Sequence, residues 1–181
     1  MLGSQPGISN AREIGGKGML AALSAWLEKT PLSAAIQNVG WLIPLAQTVH
    51  ILCLAVVLSS VVFLDVRLLG LGGRRASVPA VAARFLPPVW IAVGLMALTG
   101  AILIIGEPRR DLPNPVFQIK MLLLAAALGL TAAIQAGISA HPRAWGENGT
   151  AAWPARLAAA LSLVLWLAIA VCGRFIAYVM G

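Results

Sequence analysis

No charged residue occurs between Lys29 and Asp65. That uncharged run is longer than the ~20 residues needed to cross the hydrocarbon core of a bilayer. Residues 41–64 form its helical part, and three further apolar segments follow at about 85–106, 117–140 and 157–179. The chain is 60% hydrophobic and only 10% charged, whereas a soluble domain carries about 25% charged residues. One domain of 181 residues cannot hide that much apolar surface from water, so lipid must serve as its solvent. The expected fold is all-α: an integral membrane four-helix bundle with a short N-terminal interfacial helix.

The net charge of +7 would point to nucleic acid in a soluble protein. Here it fits Lys and Arg anchoring helix ends and meeting anionic lipid, and no nucleic-acid partner is expected. Residues 1–18 read as a flexible tail. They contain no apolar stretch before Met19, so no secretory signal is expected and the first span directs insertion itself. Residues 19–38 read as an interfacial amphipathic segment, broken where Thr30 can cap a new helix and Pro31 takes its first position. Residues 39–181 hold the four-helix domain. Pro87 and Pro88 are expected in the first turn of the second span, where proline is tolerated.

Four spans place both termini on one side, B, with the loop 107–116. The other side, A, holds the long loops 67–84 and 141–156. Side A carries Arg67, Arg74, Arg75, Arg84, Arg143 and Arg156, and side B carries Arg12, Lys17, Lys29, Arg109, Arg110 and Lys120. Arg12 and Lys17 are far from the first span. Cations close to the spans therefore favour side A as cytoplasmic, with both termini periplasmic.

Ionisable residues within a span are functional candidates because burying them is costly. His50 lies about 14 Å into the first span from side B. The plain reading is a neutral imidazole bonded to a neighbouring helix; the sharper one is a heme or metal ligand. His141, the other histidine, falls at the side A end of the third span, about 20 Å away along the membrane normal. Axial nitrogens on one iron sit only about 4 Å apart, because each metal–nitrogen bond is about 2 Å. One chain therefore cannot hold one heme through both histidines.

Met96, Cys53 and Cys172 fall at depths similar to His50. His with Met is a heme pairing, and His with Cys and Met suits copper. Equally, Met96 and the cysteines can simply fill the core. Lys120 and Arg174 lie nearer side B than His50, where they and Tyr178 could meet heme propionates. The alternative is snorkelling to the headgroups with pairing to Glu107 or Asp111. Asp65, at the side A end of the first span, is expected to pair with an arginine from another helix. The cysteines lack CxxC spacing, so neither a disulfide framework nor a zinc site is expected.

The segments HILCLAVVLSSVVFLDVRLLGLG, FLPPVW, MALTGAILI, NPVFQIKMLLL and SLVLWLAIAVCGRFIAYV together resemble an uncharacterised family of small four-helix bacterial inner-membrane proteins. Some of its members are described as copper-resistance-D-like. The resemblance runs from about Trp26 to Val179. It is most specific at His50, Asp65–Gly70, Thr99–Gly100, Asn114–Lys120 and Gly173–Tyr178. It implies four helices and a bacterial inner-membrane location, with no established activity. Family members often carry an acidic residue near the first-span histidine; Gln47 stands there in this chain, which argues against a proton relay.

Three functions compete. The first is an inner-membrane subunit or anchor of a redox assembly, holding one b-type heme through His50 with Met96, Lys120, Arg174 and Tyr178 around it. The second is a copper-handling or transport protein using His50, Cys53, Met96 and Cys172. The third is a cofactor-free structural subunit that packs against other membrane subunits or its own copies. No phosphate loop, nucleophile triad or carboxylate pair is visible in the sequence, so independent catalysis is not expected.

Overall fold

The computed structural model describes residues 8–71, 77–145 and 151–175, without the side chains of residues 8–17 and Asp111. Seven helices form among them: α1 (Ile8–Glu28), α2 (Pro31–Asn38), α3 (Leu42–Leu68), α4 (Val78–Gly106), α5 (Pro108–Asp111), α6 (Pro115–Ala140) and α7 (Trp153–Phe175). α3, α4, α6 and α7 are each long and apolar enough to cross a membrane. The most extensive seams are α3–α4 and α6–α7, joined by α3–α7 and a smaller α4–α6 contact. The fold is thus the expected all-α four-helix bundle.

Its surface is apolar where a soluble bundle would be charged. Leu52 and Phe63 on α3, Ile91 and Leu98 on α4, Leu122 on α6, and Val164 and Leu167 on α7 all point outward. Such a belt is stable only against lipid, which makes the chain a multi-pass membrane protein.

Local sequence sets the helix ends. Thr30 caps α2, its hydroxyl accepting from the Ser33 amide, with Pro31 in the first turn as expected. α3 stops in a Schellman motif: the Leu71 amide donates to the Val66 carbonyl and the Gly70 amide to the Arg67 carbonyl. Gly70 supplies the required positive φ, at +81°, which accounts for the glycine closing Asp65–Gly70. Asn114 caps α6 by accepting from the Val116 amide at 2.9 Å, ahead of Pro115.

Two boundaries differ from expectation. α1 begins at Ile8 instead of Met19, since no proline interrupts residues 8–28. α4 begins at Val78, because Ser77 caps it and Pro79 fits its first turn. Pro87 and Pro88 therefore lie inside the helix instead of opening it. α2 is also more than a surface helix. Ser33 donates to the Ile105 carbonyl at 2.8 Å and Gln37 to the Gly106 carbonyl at 2.9 Å. These are carbonyls that the C-terminus of α4 leaves without helical partners, so α2 caps α4 from outside. Ile36 packs on Gly106, where an added Cβ would meet its Cγ2 at 3.2 Å. α1 is tied to α5 by the Glu28–Arg109 ion pair.

Candidate functional site

Each of the four seams is crossed by one polar link. His50 joins α3 to α4 through Thr99, at 2.9 Å. Asp65 joins α3 to α7 by accepting from the Ser162 hydroxyl. Trp90 donates to Gln135 at 2.7 Å between α4 and α6. Trp166, almost fully buried, donates to Thr131 at 3.4 Å between α7 and α6. In lipid the hydrophobic effect does not drive helices together, and such bonds with close packing hold a bundle.

His50 differs from the other links in having a second functional atom. The Thr99 hydroxyl donates to the Leu95 carbonyl at 2.9 Å. In the tautomer that keeps this bond, the Thr99 oxygen accepts from Nδ1 and Nε2 is the lone-pair nitrogen; in the other tautomer the hydroxyl donates to Nδ1. Among the described residues Nε2 has no hydrogen-bond partner. It is also absent from the sealed unpartnered polar atoms, which are Asp65 Oδ2 and Asn114 Nδ2. The ring rests on Gly100, where an added Cβ would lie 3.5 Å from Cε1. Thr99 and Gly100 therefore form one seat for His50: the first orients the ring and the second leaves room for it.

Lys120 reaches the same end of the bundle from α6. It lies over Gly173 of α7, with Nζ 3.6 Å from where a Cβ would be, close enough to His50 for its charge to be felt there. Arg174 is exposed in the last turn of α7. Met96 and Cys53 both belong to the buried cluster between α3 and α4 that also contains Val57, Ala92 and Trp166. Cys172 is half-buried on α7. No group of three His, Cys, Asp or Glu able to hold a metal forms among the described residues, so His50, Cys53 and Cys172 do not converge. Tyr178 lies outside the described residues.

Two pairings differ from expectation. Asp65 makes no ion pair with a described side chain and has the Ser162 hydroxyl beside it; Arg74 and Arg75 lie outside the described residues. A hydroxyl one helix away satisfies one carboxyl oxygen without a second charge to desolvate. Glu107, one of two carboxylates expected to meet Lys120 or Arg174, instead holds Arg110 at 2.7 Å, three residues on; the other, Asp111, lies outside the described side chains. His141 is exposed just past the end of α6, at the far end of the bundle from His50. Thr99 was within reach of sequence reasoning. It lies seven residues before the end of α4, about 10 Å deep, and so matches His50 in level.

No family model, curated protein or solved structure matches the chain.

Proposed function

We propose that this four-span protein is a membrane subunit of a redox assembly that holds one b-type heme through His50. The observation behind the reading is the His50 imidazole, held at Nδ1 by Thr99 at 2.9 Å with no hydrogen-bond partner for Nε2 among the described residues. A histidine that ligates a metal through one nitrogen nearly always donates its other N–H to a fixed acceptor. In the tautomer protonated at Nδ1, His50 has that arrangement in advance.

The surrounding residues fit one axial bond. Lys120 and Arg174 give positive charge toward side B, suited to propionates. Met96 is packed into the core, and drawing it out to an iron would unpack the α3–α4 seam. His141 is at the wrong end. A heme held at the other end would supply one-electron exchange, with His50 as its ligand and Lys120 and Arg174 as its nearby cations.

A copper-handling reading draws on Cys53 and Met96. They lie one turn from His50 and Thr99 respectively and share one buried cluster. Side A is taken as cytoplasmic in a bacterial inner membrane, so a reporter fused after Gly181 should be active in the periplasm.

The decisive measurement is the absorption spectrum of the purified protein, with metal analysis of the same sample. A Soret band that His50→Ala abolishes, in a protein that still inserts, supports heme ligation. Stoichiometric copper lost in Cys53→Ser supports the second reading. Wild-type protein with neither would refute both and leave a structural subunit, with His50 as a seam-closing residue.

A further inference from the structure

The side B end of the bundle contains a groove that plays no part in the site at His50. It is a shallow, largely open groove of about 440 Å³. Its floor is made by Gly106, the last residue of α4, and Ile43, the second of α3. Its walls carry Glu28 from α1, Arg109 and Arg110 from α5, and Glu107 between α4 and α5.

The groove lies at the ends of two spans, and so at the boundary between hydrocarbon and headgroups. Two tryptophans mark the same level. Trp26 and Trp41 are 64% and 66% exposed, and exposed tryptophan at span ends settles among headgroups. Met19, Leu23 and Trp26, all exposed, line one face of α1 at i, i+4 and i+7. That face can dip into the acyl boundary while α5 holds the helix through Glu28.

The charges select the occupant. Glu28 pairs with Arg109 and Glu107 with Arg110, and every partner is between 37% and 65% exposed. Ion pairs this open are weak and can exchange partners readily. Two carboxylates and two guanidiniums sum to zero, so a purely anionic headgroup would meet two like charges. A zwitterionic headgroup meets opposite charge at both ends. Guanidinium groups suit phosphate oxygens by forked N–H donation. Carboxylates suit an ammonium with N–H bonds to give, which a choline headgroup lacks.

We propose that this groove is a binding site for a phospholipid with an ethanolamine headgroup, its phosphate on Arg109 and Arg110 and its ammonium on Glu28 and Glu107. The site is independent of any ligand at His50. The test uses the full chain in detergent, titrated with dioleoyl phosphatidylethanolamine, phosphatidylcholine or phosphatidylglycerol and read by native mass spectrometry. Phosphatidylethanolamine should be retained in preference to both others. The double variant Arg109→Ala/Arg110→Ala should reduce its retention about tenfold, equivalent to about 1.4 kcal/mol. Glu28→Gln/Glu107→Gln should move the preference toward phosphatidylglycerol. All four side chains are well exposed, so both variants should keep wild-type helicity by circular dichroism. Equal retention of the three lipids, or a preference untouched by the arginine variant, would overturn the proposal. So would free phosphoethanolamine binding as tightly as the lipid.

Discussion

The variant that best separates the roles of His50 is Thr99→Val, which keeps the side-chain shape and removes only the hydroxyl. In the wild type that oxygen lies 2.9 Å from Nδ1 and its hydroxyl donates to the Leu95 carbonyl at 2.9 Å. As a seam bond, the His50–Thr99 link should contribute what bonds between membrane helices usually do, about 0.6 kcal/mol and at most about 1.7. The midpoint of unfolding in mixed dodecyl sulfate micelles should therefore fall slightly, with helicity unchanged. As an orienting bond behind a metal ligand, it should matter more. Losing such a partner commonly weakens binding about 10- to 100-fold, or roughly 1.4–2.7 kcal/mol by the tenfold rule. The measurement is heme retained after gel filtration at limiting concentration, alongside the unfolding midpoint. A large loss of heme with a small loss of stability supports the ligand role. Wild-type heme retention in Thr99→Val would refute the argument that this hydroxyl orients the ring.

Two other substitutions probe the packing. Ser33→Ala combined with Gln37→Leu removes both donors to the carbonyls ending α4, at about 0.5–1.5 kcal/mol each; hydrogen exchange should quicken across α2 and the last turn of α4 while α6 and α7 keep their protection. Gly137→Ala places a methyl where the Trp145 ring now lies. It should lower stability by about 1–3 kcal/mol and increase the exposure of Trp145 to an aqueous fluorescence quencher.

Hydropathy alone identified the four spans, because an uncharged run of that length has few other solutions. The helix ends were harder to read. The Thr30–Pro31 start was legible from cap chemistry. Pro87–Pro88 misled, because proline is most familiar in a first turn, and the true start had its own cap at Ser77 and its own proline at Pro79. The unequal status of His50, Lys120, Met96 and Arg174 was not legible, because depth counts residues along an axis and says nothing of rotation about it. Depth matching alone puts Met96 and Thr99, three residues apart, at nearly the same level. In the fold Thr99 provides the hydroxyl that meets the histidine, while Met96 packs into the core. Asp65 illustrates the same limit: its expected partner was a charge, and a serine hydroxyl on α7 took that place.

The two ends of the bundle are built differently, and the difference bears on where a partner could act. At the side A end two charged groups turn inward, while Arg84, His141, Arg143 and Arg156 face out. Asp65 is 1% exposed and bonded to Ser162, and Arg67 is buried beside the Schellman turn. At the side B end Ser33 and Asn114 are buried, but the ion pairs of α1 and α5 face out. Half-exposed ion pairs line a groove, α1 presents an apolar face beyond the bundle, and His50 keeps an open nitrogen one or two turns below. Groups that only stabilise a fold do best when sealed, since an exposed pair contributes little. Side B has weak pairs, an open imidazole and the additional helices α1, α2 and α5. Substitutions at Glu28, Glu107, Arg109 and Arg110 should therefore change lipid binding far more than stability.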